Sequence, residues 1–272
     1  MKHFNTSPRE LLASFWRNRE LITTLTKRDI LSRYKGSVLG LFWSFFQPVL
    51  MLIIYTFVFS VVFKARWSSE SSSTTEFALV LFSGLIVFNF FSECILKAPT
   101  LVISQPNYVK KVIFPLEILP WVSLGAALFQ LLMSASVWLL CYIVLFGIPH
   151  ATLLFFPFMM LPVALLALGL SWMISSLGVY LRDIGYVMSI LMTIMMFLSP
   201  IFYPITALPE QYQIYLKINP LAHAIEEVRD VLYWGTVPNI ISYAVLFLVS
   251  LACAWIGFIW FQKTRKGFAD VL

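Results

Sequence analysis

Six stretches of this chain, approximately residues 37–63, 77–97, 118–146, 152–179, 184–203 and 239–261, are apolar almost without interruption. A bilayer core of about 30 Å takes about 20 helical residues to cross, so each stretch is long enough. Lipid offers no partner for a backbone N–H or C=O, and a helix is the conformation in which an isolated apolar segment satisfies its own. The expected fold is therefore an all-α integral membrane protein with six transmembrane helices. Composition agrees, because only 12% of the residues are charged, about half the share found in soluble domains. A water-soluble enzyme is excluded.

The remaining charges set an orientation. Of the 19 Lys and Arg, eight lie in the arm up to Gly36, and Lys97, Lys110, Lys111, Arg182, Lys263, Arg265 and Lys266 fall on the same side of a six-span chain, fifteen in all. Lys64, Arg66, Lys217 and Arg229 fall on the other. The positive-inside rule then puts both termini in the cytoplasm. The net charge of +6 is accounted for by topology, and no nucleic-acid partner is expected. The arm has no continuous apolar core of the kind a signal peptide carries, so it is expected to remain in the mature protein.

Ionisable side chains at membrane depth are costly and mark proton or ion paths. The central parts of the six stretches hold none, and Glu93, the nearest, stands four residues before Lys97, a spacing that allows an intrahelical pair. Nucleotide-binding GxxxxGK[ST], HExxH and GxSxG patterns are absent from the sequence. Cys94, Cys141 and Cys253 have no metal-ligand spacing and are expected to pack as small apolar residues. Uphill transport by this chain would need energy delivered by another.

Outside the spans, Ser7, Pro8 and Glu10 form a capping-box start for a helix. Leu11, Leu12, Phe15, Trp16, Leu21, Ile22 and Leu25 supply its apolar side, and Arg17, Arg19, Lys27 and Arg28 its basic one. Such a helix can lie on anionic lipid or pack on protein. The loop from Gln105 to Glu117 has two prolines bracketing Lys110 and Lys111, and suits either a knob for a cytoplasmic partner or a basic lipid anchor. After the fifth stretch, Asn219 and Pro220 begin a helix whose apolar stripe is Leu221, Ile225, Val228, Val231 and Leu232, with Glu226, Glu227, Arg229 and Asp230 opposite. With a helical turn over 209–218 it makes an external cap or a hairpin returning into the outer leaflet. Aromatic residues are 17% of the chain. Most fit an interfacial belt, and aromatic faces also stack on sugar rings.

The segment Lys27–Trp43 running into Gln47 and Pro48, together with Lys110, Lys111, Phe114, Pro115 and Glu117, resembles the ABC-2-type permeases that export lipid-linked polysaccharides, the O-antigen exporters above all. Arg182, Asp183 and Ile184, Leu198–Pro204, Asn219–Leu221 and Phe268–Asp270 extend the resemblance over nearly the whole chain. It implies a transporter permease with no catalytic residue, no metal and no cofactor of its own. Residues 1–36 would form the amphipathic interface helix and 37–272 the transmembrane domain. The chain would form a homodimer in the bacterial inner membrane with two copies of an ATPase subunit that binds ATP and Mg, and would pass an undecaprenyl-diphosphate-linked O-antigen polysaccharide toward the periplasm.

By the same resemblance, Asn107, Tyr108, Lys110, Lys111, Phe114, Pro115 and Glu117 would couple to the ATPase. The segment after Tyr203 would be a re-entrant hairpin gate. Trp43, Phe46, Phe197, Phe202 and Tyr203 would line or gate a channel at the dimer interface. Arg28, Arg33 and Lys35 form a basic rim suited to a diphosphate head group or, equally, to positive-inside topology alone. Arg265 stands where the family more often has an acidic residue. The alternatives are a capsular polysaccharide or teichoic acid permease, and beyond those an ABC-2 drug exporter or a membrane glycosyltransferase.

Overall fold

The computed structural model describes residues 6–62, 67, 74–110 and 114–272, and the regular structure among them is all helical. Helix α1 (Pro8–Arg17) starts as expected: the Glu10 N–H donates to Ser7 Oγ at 3.3 Å, with Pro8 at the first helical position. The reciprocal half of the capping box is not made, because the Glu10 carboxylate instead accepts from Arg17 Nη2 at 2.7 Å. The single interface helix expected from periodicity is two helices. Asn18 leaves helical geometry, and its backbone N–H and side-chain Nδ2 both donate to Ser14 O, at 3.1 and 2.8 Å, the local side-chain bonding that suits Asn to a helix end more than to an interior. Helix α2 (Arg19–Tyr34) then begins afresh.

Gly36 and Gly40, with φ of 85° and 53°, use the left-handed region open to glycine to turn the chain into α3 (Phe42–Tyr55), which continues as a π-helical segment, Thr56–Val62. The first long apolar helix thus begins five residues later than the apolar stretch. Pro48 lies inside it and cannot donate to Ser44 O. Gln130 Nε2 supplies the missing hydrogen at 3.2 Å, while Gln130 Oε1 accepts from Tyr34 O–H at 3.4 Å.

Helix α4 (Thr74–Lys97) is the hub, apolar through most of its length and mostly enclosed. After α5 (Pro106–Lys110), helices α6 (Leu119–Phe146) and α7 (Phe156–Tyr180) pack on it. Trp138 Nε1 of α6 donates to Leu79 O of α4 at 2.9 Å. The chain then forms α8 (Ile184–Leu198), α9 (Glu210–Ile218) and α10 (Pro220–Arg229), the last running into a π-helical turn, Asp230–Trp234. Helix α11 (Ile240–Thr264) lies along α7, and a short α12 (Phe268–Val271) follows. At the crossing of α7 and α11, a Cβ on Gly257 would stand 2.1 Å from Gly169 O, so both backbones touch. Close approach over small residues is how helices gain dispersion contact in lipid, where hydrophobic exclusion does not drive them together.

Among the described residues five helical segments are long and apolar enough to cross a membrane: Phe42–Phe59, Thr75–Thr100, Leu116–Phe146, Ala151–Tyr180 and Ile240–Val271. The expected fifth stretch, 184–203, yields only the 15 residues of α8, about 22 Å at the helical rise. It stops because Pro200 forces Ser199 out of helical geometry, to ψ 148°. In α10 the Asn219 cap forms, with Leu221 N–H donating to Oδ1 at 3.0 Å, and the expected apolar stripe is buried. The opposite face departs from expectation: Arg229 is 3% exposed and Glu227 9%.

Candidate functional site

The segment 105–117 begins with the single short helix α5, in which Asn107 is exposed and Tyr108 half-buried. Tyr108 stacks on Phe114 with centroids 4.1 Å apart and planes 13° from parallel. Lys110 closes the helix, and Lys111 lies outside the described residues. Pro115 precedes a tight 3-10 turn, Leu116–Ile118, that leads into α6.

Glu117 does not share the loop's surface. It is 6% exposed, and its carboxylate pairs with Arg265 Nη1 and accepts from Ser14 Oγ at 3.3 Å. Arg265 Nη2 also donates to Phe114 O at 2.8 Å, and Trp172 Nε1 donates to Glu117 O at 3.0 Å. The loop is thereby pinned to α1, to α7 and to the end of α11. With its carboxylate bonded to Arg265 and Ser14 inside the fold, Glu117 positions the loop.

A second cluster joins α2 to α4. Glu93 and Lys97, whose spacing allows an intrahelical pair, reach α2 instead. Arg33 Nη1 pairs with Glu93, Lys97 Nζ lies 2.5 Å from Asp29 Oδ2, and Arg33 Nη2 lies 3.3 Å from the same oxygen. Burial opposes the Arg33 charge, but the two carboxylates hold its pKa above the usual arginine value. Of the three rim cations, Arg33 is thus paired with two carboxylates. Lys35 is exposed, and Arg28 Nη2 donates to Tyr108 Oη at 3.3 Å.

The aromatic residues expected to line a path fall into two groups. Trp43 and Phe46 meet edge to face at 5.6 Å at the start of α3. Phe197, Phe202 and Tyr203 gather beyond its other end, 12 residues or about 18 Å away at Tyr55. There Phe202 stacks on Phe59 at 5.2 Å, lies 5.9 Å from Phe197 and 6.4 Å from Tyr55, and Tyr203 O–H donates to Phe197 O at 2.9 Å. Tyr55 and Phe59 were missed in the sequence, although their spacing of four on one helical face is a signal that could have found them.

Beside this second group Arg229 is buried without an ion pair among the described residues. Nη2 donates to Pro200 O at 2.7 Å and Nε to Val80 O at 3.3 Å, while the guanidinium lies 4.2 Å from the Trp67 ring. Burial lowers its pKa to about 10, against the pull of Glu226 and Asp230. It thus ties α10 to α4 and to the turn that presents Phe202. Grouping Arg229 with its acidic neighbours hides a signal that could have found it: it stands four residues after Ile225 and eight after Leu221, at the edge of the apolar stripe.

Residues 20–233 match the ABC-2 type transporter family. The chain is 24% identical over 262 residues to the O-antigen export system permease protein RfbA of Myxococcus xanthus, covering 96% of this chain and 98% of that protein. It is 25% identical over 255 residues to the O-antigen export system permease protein RfbA of Klebsiella pneumoniae, covering 93% and 95%. To the polysialic acid transport protein KpsM of Escherichia coli it is 24% identical over 243 residues, covering 87% and 90%.

Proposed function

The chain belongs to the ABC-2 type transporter family, and on that premise we propose that it is the membrane subunit of an ATP-driven exporter carrying an undecaprenyl-diphosphate-linked O-antigen polysaccharide across the bacterial inner membrane. The observation that carries this reading is the end-to-end likeness to O-antigen export permeases, covering 96% of the chain in the first case. A capsular polysaccharide is the second reading, favoured by the likeness to KpsM.

In the proposed assembly two copies form a homodimer, residues 1–36 lie at the cytoplasmic surface, 37–272 form the transmembrane domain, and both termini are cytoplasmic. Helix α8 is the fifth of six crossings. Tyr186, Val187, Ile190, Ile194 and Phe197 leave one of its faces exposed, and a helix facing a second copy and a wet path need not match the full hydrocarbon thickness. Helices α9 and α10 form the re-entrant gate over that path, and Phe197, Phe202 and Tyr203 offer the growing opening a wall of rings on which sugars can stack. Trp43 and Phe46 do the same at the opposite end.

Each of two separate ATPase subunits binds ATP and Mg and seats the first part of the 105–117 loop, through Asn107, Tyr108, Lys110 and Lys111. Phe114, Pro115 and Glu117 link that part to α6, Phe114 by its stack on Tyr108 and Glu117 by its pair with Arg265, so a push on α5 is passed into the membrane helices. Arg28 and Lys35 attract the diphosphate head group at the same surface.

Deleting the chain in its host is expected to leave lipid-linked polymer inside the cell and none at the surface, with restoration by the gene in trans. The purified chain should hydrolyse no ATP until an ATPase subunit is added. Accumulated capsular polymer in place of O-antigen would establish the second reading, and undisturbed surface polymer of both kinds would refute the export role.

A further inference from the structure

His223 and Glu227 stand four residues apart on α10, and Ser242 lies in the first turn of α11. His223 Nε2 is 2.6 Å from Ser242 Oγ and 3.6 Å from Glu227 Oε1, and Ser242 is also a hydrogen-bond partner of the Glu227 carboxylate. A carboxylate only accepts, and a hydroxyl has one hydrogen to give. Ser242 therefore donates to Glu227, and its oxygen accepts from the Nε2–H of His223. The three side chains form one relay that crosses from α10 to α11. They do not form a nucleophile's triad, in which the acid holds the other ring nitrogen, Nδ1. Glu227 is buried while the His223 side chain is 32% exposed, so water can reach the ring. An incoming proton takes Nδ1 and leaves the relay intact, but it turns His223 into a counter-ion in range of Glu227.

The other groups around α10 leave that task to His223. Helix α4 brings Glu76, whose charge bears on Tyr233, while Glu93 and Lys97 at its other end pair with α2. Helix α7 carries no charged residue, and α9 brings Glu210, the Lys217 side chain lying outside those described. The π-helical turn brings Asp230 and Tyr233, and α11 brings Tyr243, with Lys263 at its far end. On α10 itself, Glu226 bears on Arg229. Asp230 opposes the ionisation of Glu227, as burial does, and His223 favours it. We propose that His223, Ser242 and Glu227 are a pH-sensitive clamp between α10 and α11, tightened when His223 gains a proton and loosened when it loses one. Histidine makes that change between about pH 5 and 8. The Glu227 carboxyl, pushed up by burial, acts in the same direction: it binds its proton more tightly in the packed arrangement, so it favours packing at low pH and ceases to as pH rises through its packed value. The place of α10 in a gate rests on the function proposed above; there, an acid exterior holds the gate helix against α11 and slows passage. The clamp itself does not rest on that reading.

The test uses the full chain in phosphatidylcholine nanodiscs and reads amide hydrogen exchange over residues 219–229 and 240–246, expressed as protection relative to unstructured peptides of the same sequence. Protection is expected to be about threefold higher at about pH 5.5 than at about pH 8, the two sides of a histidine titration. His223→Gln keeps an N–H for Ser242 but cannot charge. It should abolish the pH dependence and leave protection at the higher pH close to that of the parent. Glu227→Gln should abolish it too, by removing the charge that the imidazolium answers. Ser242→Ala cuts the bridge and should lower protection about threefold at the acid condition. His150, which packs on Gly235 outside the relay, gives the control, and His150→Gln should respond to pH as the parent does. A parent without pH dependence, a dependence that survives in H223Q, or one lost in H150Q overturns the proposal. Absence of the clamp with export intact in cells removes this device alone, whereas a clamp in a chain that cells do not need for export removes the exporter reading and keeps the device.

Discussion

The carboxylate of Glu117 and the guanidinium of Arg265 form a buried ion pair across 148 residues of sequence, with side chains 8% and 11% exposed. The same two residues collect Ser14 Oγ and Phe114 O, so the first helix, the loop before α6 and the end of α11 share one knot. Arg265 replaces an acidic residue expected from the family resemblance, and the structure gives the reason: it is the counter-ion of Glu117.

Removing one member of a buried pair leaves the other charged and unsolvated, at a cost of about 3–5 kcal/mol. Glu117→Ala and Arg265→Ala should each destabilise the detergent-solubilised protein by about that much, and Glu117→Leu with Arg265→Met should recover most of the loss. Thermal unfolding of the four proteins measures the coupling. Strictly additive losses would show that the pair does not act as a unit.

The pairs between α2 and α4 are only partly buried, with side chains 22–30% exposed, so each is expected to contribute about 0.2–1 kcal/mol. Asp29→Asn should therefore leave overall stability nearly unchanged while loosening α2. Limited proteolysis within residues 19–34 ought to speed up, and salt should erase the difference between variant and parent. Equal cleavage rates at low salt would count against the network.

At the α7–α11 crossing there is no room for a methyl group, because the contact is with backbone and not with a movable side chain. Gly257→Ala should destabilise by about 3 kcal/mol or more and lower the yield of folded protein. Gly185→Ala, whose added carbon would meet only Pro99 Cβ at 3.9 Å, serves as the tolerated control. Similar yields for both would mean that the helices can shift apart.

Arg229→Lys keeps the charge but replaces a planar fork, whose Nε and Nη2 reach two different carbonyls beside the Trp67 ring, with a single nitrogen. A loss of about 1–3 kcal/mol is expected for the carbonyl left without its donor, together with altered mobility of the segment that carries Phe202. Hydrogen exchange over residues 199–204 reads this directly, and unchanged protection there would separate Arg229 from the proposed gate.

Much of the fold was legible because lipid removes conformational choices. Long apolar runs become helices, and the capping residues Ser7 and Asn219 start their helices where local chemistry says they should. Asn18 and Pro200 were visible in the sequence too, yet their effects, one helix divided and one shortened, compete with a periodic pattern that continues through both. The 105–117 loop was likewise visible as a unit, but its division into exposed Asn107 and buried Glu117 was not.

The sequence by itself determined that the chain is a helical membrane protein, where most of its helices lie, and, through short motifs spread along its length, which family it belongs to. Tertiary structure alone decided which charges meet. Glu93 stands one helical turn from Lys97 and bonds to neither it nor any local residue, but to Arg33, while Lys97 takes Asp29. Glu117 finds Arg265 and Arg229 finds two carbonyls and a tryptophan ring. The physical reason is that apolar burial depends on periodicity within a segment, whereas a buried charge is satisfied by whichever donor, acceptor or ring the packing brings within about 3–4 Å, and that partner can lie anywhere in the chain.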